Sequence, residues 1–183
     1  MSSPQPHPVT IRHKVRLFRR NRRGWAVVEF ALIAPLFFAL LFAMLEYALM
    51  FLAGQVLETA TQDAARLVQT GQAQAAGFDK DQFKQQLCDR LVALFHCETG
   101  VVIDVKSFPS FAAITPEELA PPITDGEFSG TNRYEPGNRN DIVLVRVYYP
   151  WQFYVTNLGF NVSNLSGGKR LLMASFASRN EPF

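Results

Sequence analysis

The hydrophobic pattern of the chain is dominated by one long apolar run near its N-terminus. Every residue from 30 to 45 is apolar, small or proline. Residues 25–45 would span about 31 Å as a helix, at ~1.5 Å per residue. The hydrocarbon core of a bilayer is about 30 Å thick. The run therefore predicts a membrane-spanning helix, with the buried helix of a globular protein as the alternative.

The helical pattern does not stop where the apolar run ends. Further apolar residues follow at helical spacing, with polar residues on the other faces, until Gly71 and the small residues after it interrupt the pattern. We therefore expect one helix over residues 25–70, whose first half is apolar all round and whose second half is amphipathic and carries a domain. The apolar positions of the second half are Leu57, Ala60, Ala64, Leu67 and Val68.

A second helix is predicted to begin at Asp79. Asp79 can cap the helix, Gln82 occupies the capping-box position, and Phe78 and Phe83 have the spacing of a hydrophobic staple. We expect the helix to end by about His96. Its expected buried face consists of Phe83, Leu87, Leu91, Leu94 and Phe95.

Three later segments alternate as β-strands do. They are residues 101–108, 141–149 and 170–178. The second is apolar on both faces apart from Arg146, which predicts a central strand that ends at Pro150. Helices followed by strands give an α+β fold: a long N-terminal transmembrane and amphipathic helix, and a second helix packed on a small antiparallel sheet.

The connections between the predicted strands differ in composition. Residues 109–140 are rich in proline, glycine and charge, which predicts a surface insertion with one helical turn near residues 116–119. Residues 151–160 form an aromatic connection that we expect to be partly helical. Residues 164–168 predict a turn.

The charge distribution predicts the topology of the chain. Residues 1–23 contain seven arginine and lysine residues and no acid, while the whole chain has a net charge of +2. The positive-inside rule then places the N-terminus in the cytoplasm and the C-terminal part outside. We expect a basic leader over 1–24, the helix over 25–70 and an exterior α+β domain over 78–183. Nucleic-acid binding by the basic run is the disfavoured alternative, because the run abuts a membrane span.

A cleaved secretory signal is a further alternative reading of the N-terminus. Its basic region fits, but the apolar region is too long and carries Glu29 and Glu46. A retained helix is therefore the preferred interpretation.

Two cysteines, Cys88 and Cys97, lie in the part predicted to be on the outer side of the membrane. An even pair in an oxidising compartment predicts a disulfide. On one continuous helix they would be about 13 Å apart, beyond the roughly 7 Å that a disulfide allows, so the second helix must end between them. The alternative is a metal site with His96, which lacks a fourth ligand at zinc-site spacing.

The histidines and motifs of the sequence do not match any common enzyme active site. The histidines are His7, His13 and His96, and no HExxH, GxSxG or GxGxxG motif occurs. Residues 165–170, LSGGKR, predict a Gly-Gly turn before a strand. We expect no catalytic residue, no metal, no cofactor and no small-molecule substrate.

The N-terminal motif resembles that of a known family. Residues 22–30, RRGWAVVEF, are similar to the prepilin cleavage motif of the Flp/Tad pilus system. The longer run over 22–51, the later Ala64-Ala65-Arg66 and the ending SRNEPF resemble the TadE-like minor pseudopilins. Phe30 stands where the small major pilins usually carry tyrosine, and the outer domain is much longer than theirs. Both departures favour a minor pilin, with a pilin-like fold.

The resemblance implies a processing site and a role for the acidic residue. A prepilin peptidase would cut after Gly24 and leave a new ammonium on Trp25. That ammonium lies about one helical turn from Glu29 and could offset the cost of placing this carboxylate in lipid. Phe30 completes the motif.

The resemblance also implies partners and a location. The partners would be the membrane, the peptidase, other Tad pilins and the Tad assembly machinery. The protein would cross the bacterial inner membrane once, with a periplasmic C-terminal domain, and could enter a surface pilus. The implied function is non-enzymatic pilus assembly and hence adhesion. The alternative is an uncleaved, single-pass anchored periplasmic binding or scaffold protein.

Overall fold

A 48-residue helix, α1 (Arg22–Gln69), begins the described part of the fold. The structure is a computed structural model that describes residues 22–91, 94–154 and 162–183, with side chains from residue 24 onward. The chain forms two units that divide between residues 44 and 45, within α1. In the first unit the apolar side chains of α1 are mostly exposed. Because α1 runs without a break from residue 22 to residue 69, the prediction of one long helix is confirmed.

In the second unit α1 buries one stripe. The stripe repeats at three- and four-residue intervals and contains several alanines, whose small side chains let the helix approach the sheet closely. Its members are Met50, Ala53, Leu57, Ala60, Ala64 and Val68. The helix ends before Gly71, which adopts a φ of 75° that favours glycine. A short helix, α2 (Gln72–Ala75), follows.

The helix α3 (Lys80–Cys88) begins as predicted. The Asp79 carboxylate accepts a hydrogen bond from the Gln82 backbone N–H at 2.7 Å, and the Asp79 N–H donates to Gln82 Oε1 at 2.9 Å. This capping box satisfies two backbone donors that the helix leaves free. Phe83 and Leu87 are fully buried beneath it.

The helix stops at Cys88, which agrees with the prediction that it ends by about His96, but it ends before Leu91, Leu94 and Phe95 of the expected buried face. The backbone tightens there: the N–H of Arg90 donates to Leu87 O at 3.1 Å and that of Leu91 to Cys88 O at 3.0 Å. Residues 91, 94 and 95 still pack on the core, but they reach it from non-helical backbone. A four-residue helix, α4 (Cys97–Gly100), precedes the first strand.

The described part of the chain contains six strands. They are β1 (Val102–Phe108), β2 (Ile123–Thr124), β3 (Glu127–Phe128), β4 (Arg133–Tyr134), β5 (Ile142–Gln152) and β6 (Lys169–Arg179). The main sheet has the order β4-β1-β5-β6, with β5 antiparallel to both of its neighbours. The prediction of a central strand near 141–149 is confirmed. β2 and β3 form a separate hairpin.

The insertion over 109–140 is more than a surface loop. Its helical turn, α5 (Pro116–Leu119), lies where it was predicted, but β4 joins the main sheet parallel to β1. The N–H of Ile103 donates to Asn132 Oδ1, and the N–H of Glu135 donates to Val105 O, both at 2.9 Å. The free edge of β1 thus finds partners in the insertion, which makes the sheet mixed instead of purely antiparallel.

The prediction that Pro150 ends the central strand is also wrong. β5 continues to Gln152 and pairs with β6 along its whole length, whereas β1 pairs with it only as far as Tyr148. Pro150 therefore lies where β5 has become an edge, which tolerates a residue without an N–H. The helical expectation for residues 151–160 fails for 151 and 152, and 155–161 lie outside the described residues.

The two faces of β5 are both buried, as its sequence predicts. Val143, Val145 and Val147 belong to the core shared with α1 and α3. Tyr148 lies on the other face with Leu165 and Leu171, under the hairpin of β2 and β3. The fold is α+β, with helices against one face of the sheet and the insertion against the other.

Candidate membrane and assembly segment

The residues of the predicted processing motif all lie in the first turns of α1. Trp25 and Phe30 are exposed, with 65% and 66% of their surface accessible, and Glu29 is also exposed. Trp25 and Glu29 are four residues apart, so they lie on the same side of the helix. The helix therefore presents the Trp25 backbone and the Glu29 carboxylate about one turn apart.

The apolar part of α1 has the properties of a membrane span. The helix is long and apolar enough to cross a membrane between Gly24 and Gln69, and its most apolar stretch is not buried inside the protein. An exposed apolar surface of this size requires a cover of lipid or of other helices. The exposed apolar residues of the first unit include Trp25, Val27, Phe30, Leu32, Ile33, Leu36, Phe37, Leu40, Phe42 and Met44.

The part of the second unit that follows α1, residues 72–183, is called the outer domain after its predicted position, and it contacts α1 at the second acidic residue of the apolar run. The Glu46 Oε1 accepts a hydrogen bond from the Tyr154 backbone N–H. The next residue, Tyr47, packs on Phe153 with ring centroids 5.8 Å apart, and Phe153 is buried. The aromatic residues Phe153 and Tyr154 belong to the connection predicted over 151–160, but no local pattern in the sequence links them to a position more than a hundred residues earlier. The bond partly compensates for the cost of a carboxylate near lipid.

Charged residues on the outer face of the sheet pair with one another. Arg146 is 5% exposed, and its guanidinium bonds to Asp104 Oδ2 at 2.5 Å and to the Glu118 carbonyl. The Lys106 ammonium bonds to the Glu118 carboxylate, and this hydrogen bond lowers the pKa of that carboxyl. Arg146 and Lys106 thereby fasten α5 to β1 and β5. These charges have a structural role, because each ion is already paired within the fold.

Tyr148 lies beside this cluster, with the Arg146 guanidinium 5.7 Å from its ring centroid. Burial raises the pKa of Tyr148 to about 12, so its hydroxyl stays protonated at neutral pH.

Within the described residues no group of three or more histidine, cysteine, aspartate or glutamate side chains could hold a metal ion.

Cys88 and Cys97 form a disulfide, with their Cα atoms 5.7 Å apart. The bond joins the last residue of α3 to the first residue of α4. The short loop that it closes carries Phe95, whose ring packs edge-on against Tyr149 with centroids 4.9 Å apart. The disulfide therefore holds this loop against the sheet where the helix has ended.

The C-terminal residues dock against the far end of α1. The buried Asn180 donates from Nδ2 to the carbonyls of Pro136 and Asn138 at 2.9 and 3.0 Å. The N–H of Glu181 donates to Gln69 O at 2.8 Å. The Phe183 ring covers Gly71, where a Cβ would come within 2.2 Å of the ring. This tail ties the end of α1 to the sheet, a role that no sequence periodicity indicates.

Residues 24–66 match the family model for TadE-like proteins. The match confirms the resemblance seen in the sequence, and it covers the apolar run and most of the amphipathic part of α1. It points to the Tad pilus system, and the one helix in the described residues that is long and apolar enough to span a membrane, near the N-terminus, suggests single-pass membrane anchoring. The sheet of the outer domain lies beyond the matched residues. Comparison with curated proteins and with solved structures gave no match.

Proposed function

We propose that the protein is a non-enzymatic minor pseudopilin that takes part in assembly of a Tad pilus and so in adhesion. The proposal rests on one observation: the family match, the exposed apolar side chains and the processing motif all lie on the same helix. The residues that match the TadE-like family include the helix whose apolar side chains are exposed, and the motif Gly24, Trp25, Glu29 and Phe30 begins that helix. In this proposal the helix first anchors the chain in the inner membrane with its domain in the periplasm.

Processing changes the charge at the start of the helix. A prepilin peptidase that cuts after Gly24 removes the basic leader and leaves a protonated amine on Trp25. That amine and the Glu29 carboxylate lie on the same side of α1, about one turn apart. Pairing within one chain or between neighbouring chains compensates a charge that would otherwise be costly in an apolar environment. The pair also specifies a register when apolar helices associate.

The outer domain continues directly from the same helix. Its core uses residues of α1 from Met50 to Val68, and its C-terminal tail bonds to the last turn of α1. A helix with one half packed on its own domain and the other half exposed suits a subunit that contributes its apolar half to an assembly. The partners in this proposal are other Tad pilins and the Tad assembly machinery.

Glu29→Leu is the variant that tests the proposal. We expect membrane insertion at the wild-type level, because the substitution replaces a charge by an apolar group in lipid. We expect surface filaments and adherent cells to fall, because the Trp25 amine loses its partner. Glu58→Leu is the matched control: it makes the same chemical change on the exposed face of α1 within the outer domain. The assays are membrane fractionation, a filament count and an adhesion count.

Gly24→Leu tests the preceding step. A bulky side chain at the cleavage position should block the peptidase and leave the longer, unprocessed chain in the membrane, seen as a slower band on a gel. N-terminal mass spectrometry of the wild-type protein should show Trp25 as the first residue. Wild-type chains that begin before residue 24, together with normal filaments from Glu29→Leu, would refute the proposal and favour an uncleaved, anchored periplasmic protein.

A further inference from the structure

We propose that one end of the outer domain rests in the headgroup layer of the membrane that α1 enters, with Tyr154 as an aromatic anchor and Lys169 contacting lipid phosphates. We call this end, formed by residues 152–154 and 168–170, the interfacial surface. The proposal requires only that α1 spans a membrane. It holds whether or not the chain is processed or joins a pilus.

Hydrogen bonds hold the interfacial surface beside the helix where the outer domain begins. The Tyr154 N–H donates to Glu46 Oε1. The Phe153 N–H donates to the Gly168 carbonyl at 3.2 Å, which connects the end of β5 to the residue before Lys169. Because Glu46 follows the uninterrupted apolar run, these two segments lie next to the point where the helix leaves the hydrocarbon.

Exposed apolar residues continue along α1 beyond this point. Leu49, Phe51 and Leu52 are 47%, 69% and 51% exposed, although the domain already packs on the opposite side of the helix. Leu52 lies about 9 Å beyond Glu46 along the helix axis, at ~1.5 Å per residue. The headgroup layer adds roughly 5–8 Å beyond the hydrocarbon on each side of a bilayer. With Glu46 at the edge of the hydrocarbon, this layer covers Leu49 and reaches as far as Phe51, about 4.5 and 7.5 Å along the axis, and the interfacial surface beside Glu46 lies within it.

The side chains of the interfacial surface have the chemistry that this layer favours. The Tyr154 side chain is 85% exposed, and tyrosine is enriched at the boundary between membrane and water. Lys169 is exposed, and an ammonium on a long apolar stem binds headgroup phosphates. Arg170, half-buried beside it, donates to Val162 O at 2.8 Å and so holds residue 162 beside the start of β6.

Spin labels on the full chain in phospholipid vesicles test the proposal. A nitroxide is attached at Tyr154→Cys and, as a control, at Arg139→Cys, which is exposed and lies beside Gly71 at the other end of the domain. Vesicles consist of phosphatidylcholine alone or with phosphatidylglycerol. We expect the label at 154 to collide more with oxygen and less with a water-soluble nickel complex than the label at 139 does.

A charge reversal tests the part assigned to Lys169. Lys169→Glu should shift the nickel accessibility of the label at 154 towards that of the label at 139, most clearly in vesicles that contain phosphatidylglycerol. Lys80→Glu, the same reversal at an exposed residue at the start of α3, should leave it unchanged. Equal water accessibility at 154 and 139, or no response to Lys169→Glu, would overturn the proposal. Protection at 154 that disappears as the ratio of protein to lipid is lowered would also overturn it, since another copy would then be the cover.

Discussion

Asn180 offers the sharpest test of how the C-terminal tail is held on the outer domain. Its side chain is 1% exposed, and its Nδ2 donates to two carbonyls of the segment that precedes β5. A hydrogen bond of this kind contributes about 0.5–1.5 kcal/mol net, and a buried acceptor left without a donor costs more. We therefore expect Asn180→Ala to lower the free energy of unfolding of the domain by about 2–3 kcal/mol.

Two further variants separate hydrogen bonding from packing. Asn180→Asp keeps the shape of the side chain but directs a carboxylate oxygen at the two carbonyls, so it should destabilise the domain at least as much as alanine does. Glu181→Ala should change little, because Glu181 contributes its backbone N–H to Gln69 and its side chain is exposed. If packing alone mattered, Asn180→Asp would behave like the wild type.

The assay is urea unfolding of the full chain in a mild detergent, followed by near-ultraviolet circular dichroism and by pulse proteolysis. The dependence of the unfolding free energy on urea should stay the same in all variants, so that a shift of the midpoint reports stability. A midpoint for Asn180→Ala equal to that of Glu181→Ala would show that the bonds from Asn180 to Pro136 and Asn138 do not stabilise the domain, and would refute the role assigned to Asn180.

Two further predictions concern the disulfide and the Lys106–Glu118 ion pair of the outer domain. Removing the disulfide with Cys88→Ser and Cys97→Ser should lower the free energy of unfolding by roughly 2–3 kcal/mol, measured by the same urea titration. Reductant should then have no further effect on the stability of this variant. Lys106 lowers the pKa of Glu118 below its ordinary value of 4.5. The contact therefore stabilises the fold above pH about 4.5, and this contribution is lost as the pH falls through the lowered pKa. Glu118→Gln should remove that part of the acid dependence; an unchanged pH profile would contradict the pairing.

The sequence alone determined the features that depend on neighbouring residues. The apolar run and its amphipathic continuation predict α1, since helical periodicity is a property of adjacent turns. Asp79 and Gln82 cap α3 from three residues apart. The apolar residues on both faces of β5 predict its central place, because a strand that is apolar on both faces must be covered on both. The resemblance to the TadE-like family likewise rests on a continuous stretch of α1.

The tertiary structure decided what depends on residues distant in sequence. β4 joins the sheet because the edge of β1 has backbone groups to satisfy, and Pro150 stays in β5 because β1 has already ended beside it. The side chain of Asn180 can be buried because its Nδ2 donates hydrogen bonds to the carbonyls of Pro136 and Asn138, some forty residues earlier in the chain. Tyr154 contacts Glu46 across 108 positions. Long-range hydrogen bonds leave no periodic trace in the chain, so only the folded arrangement reveals which polar groups meet.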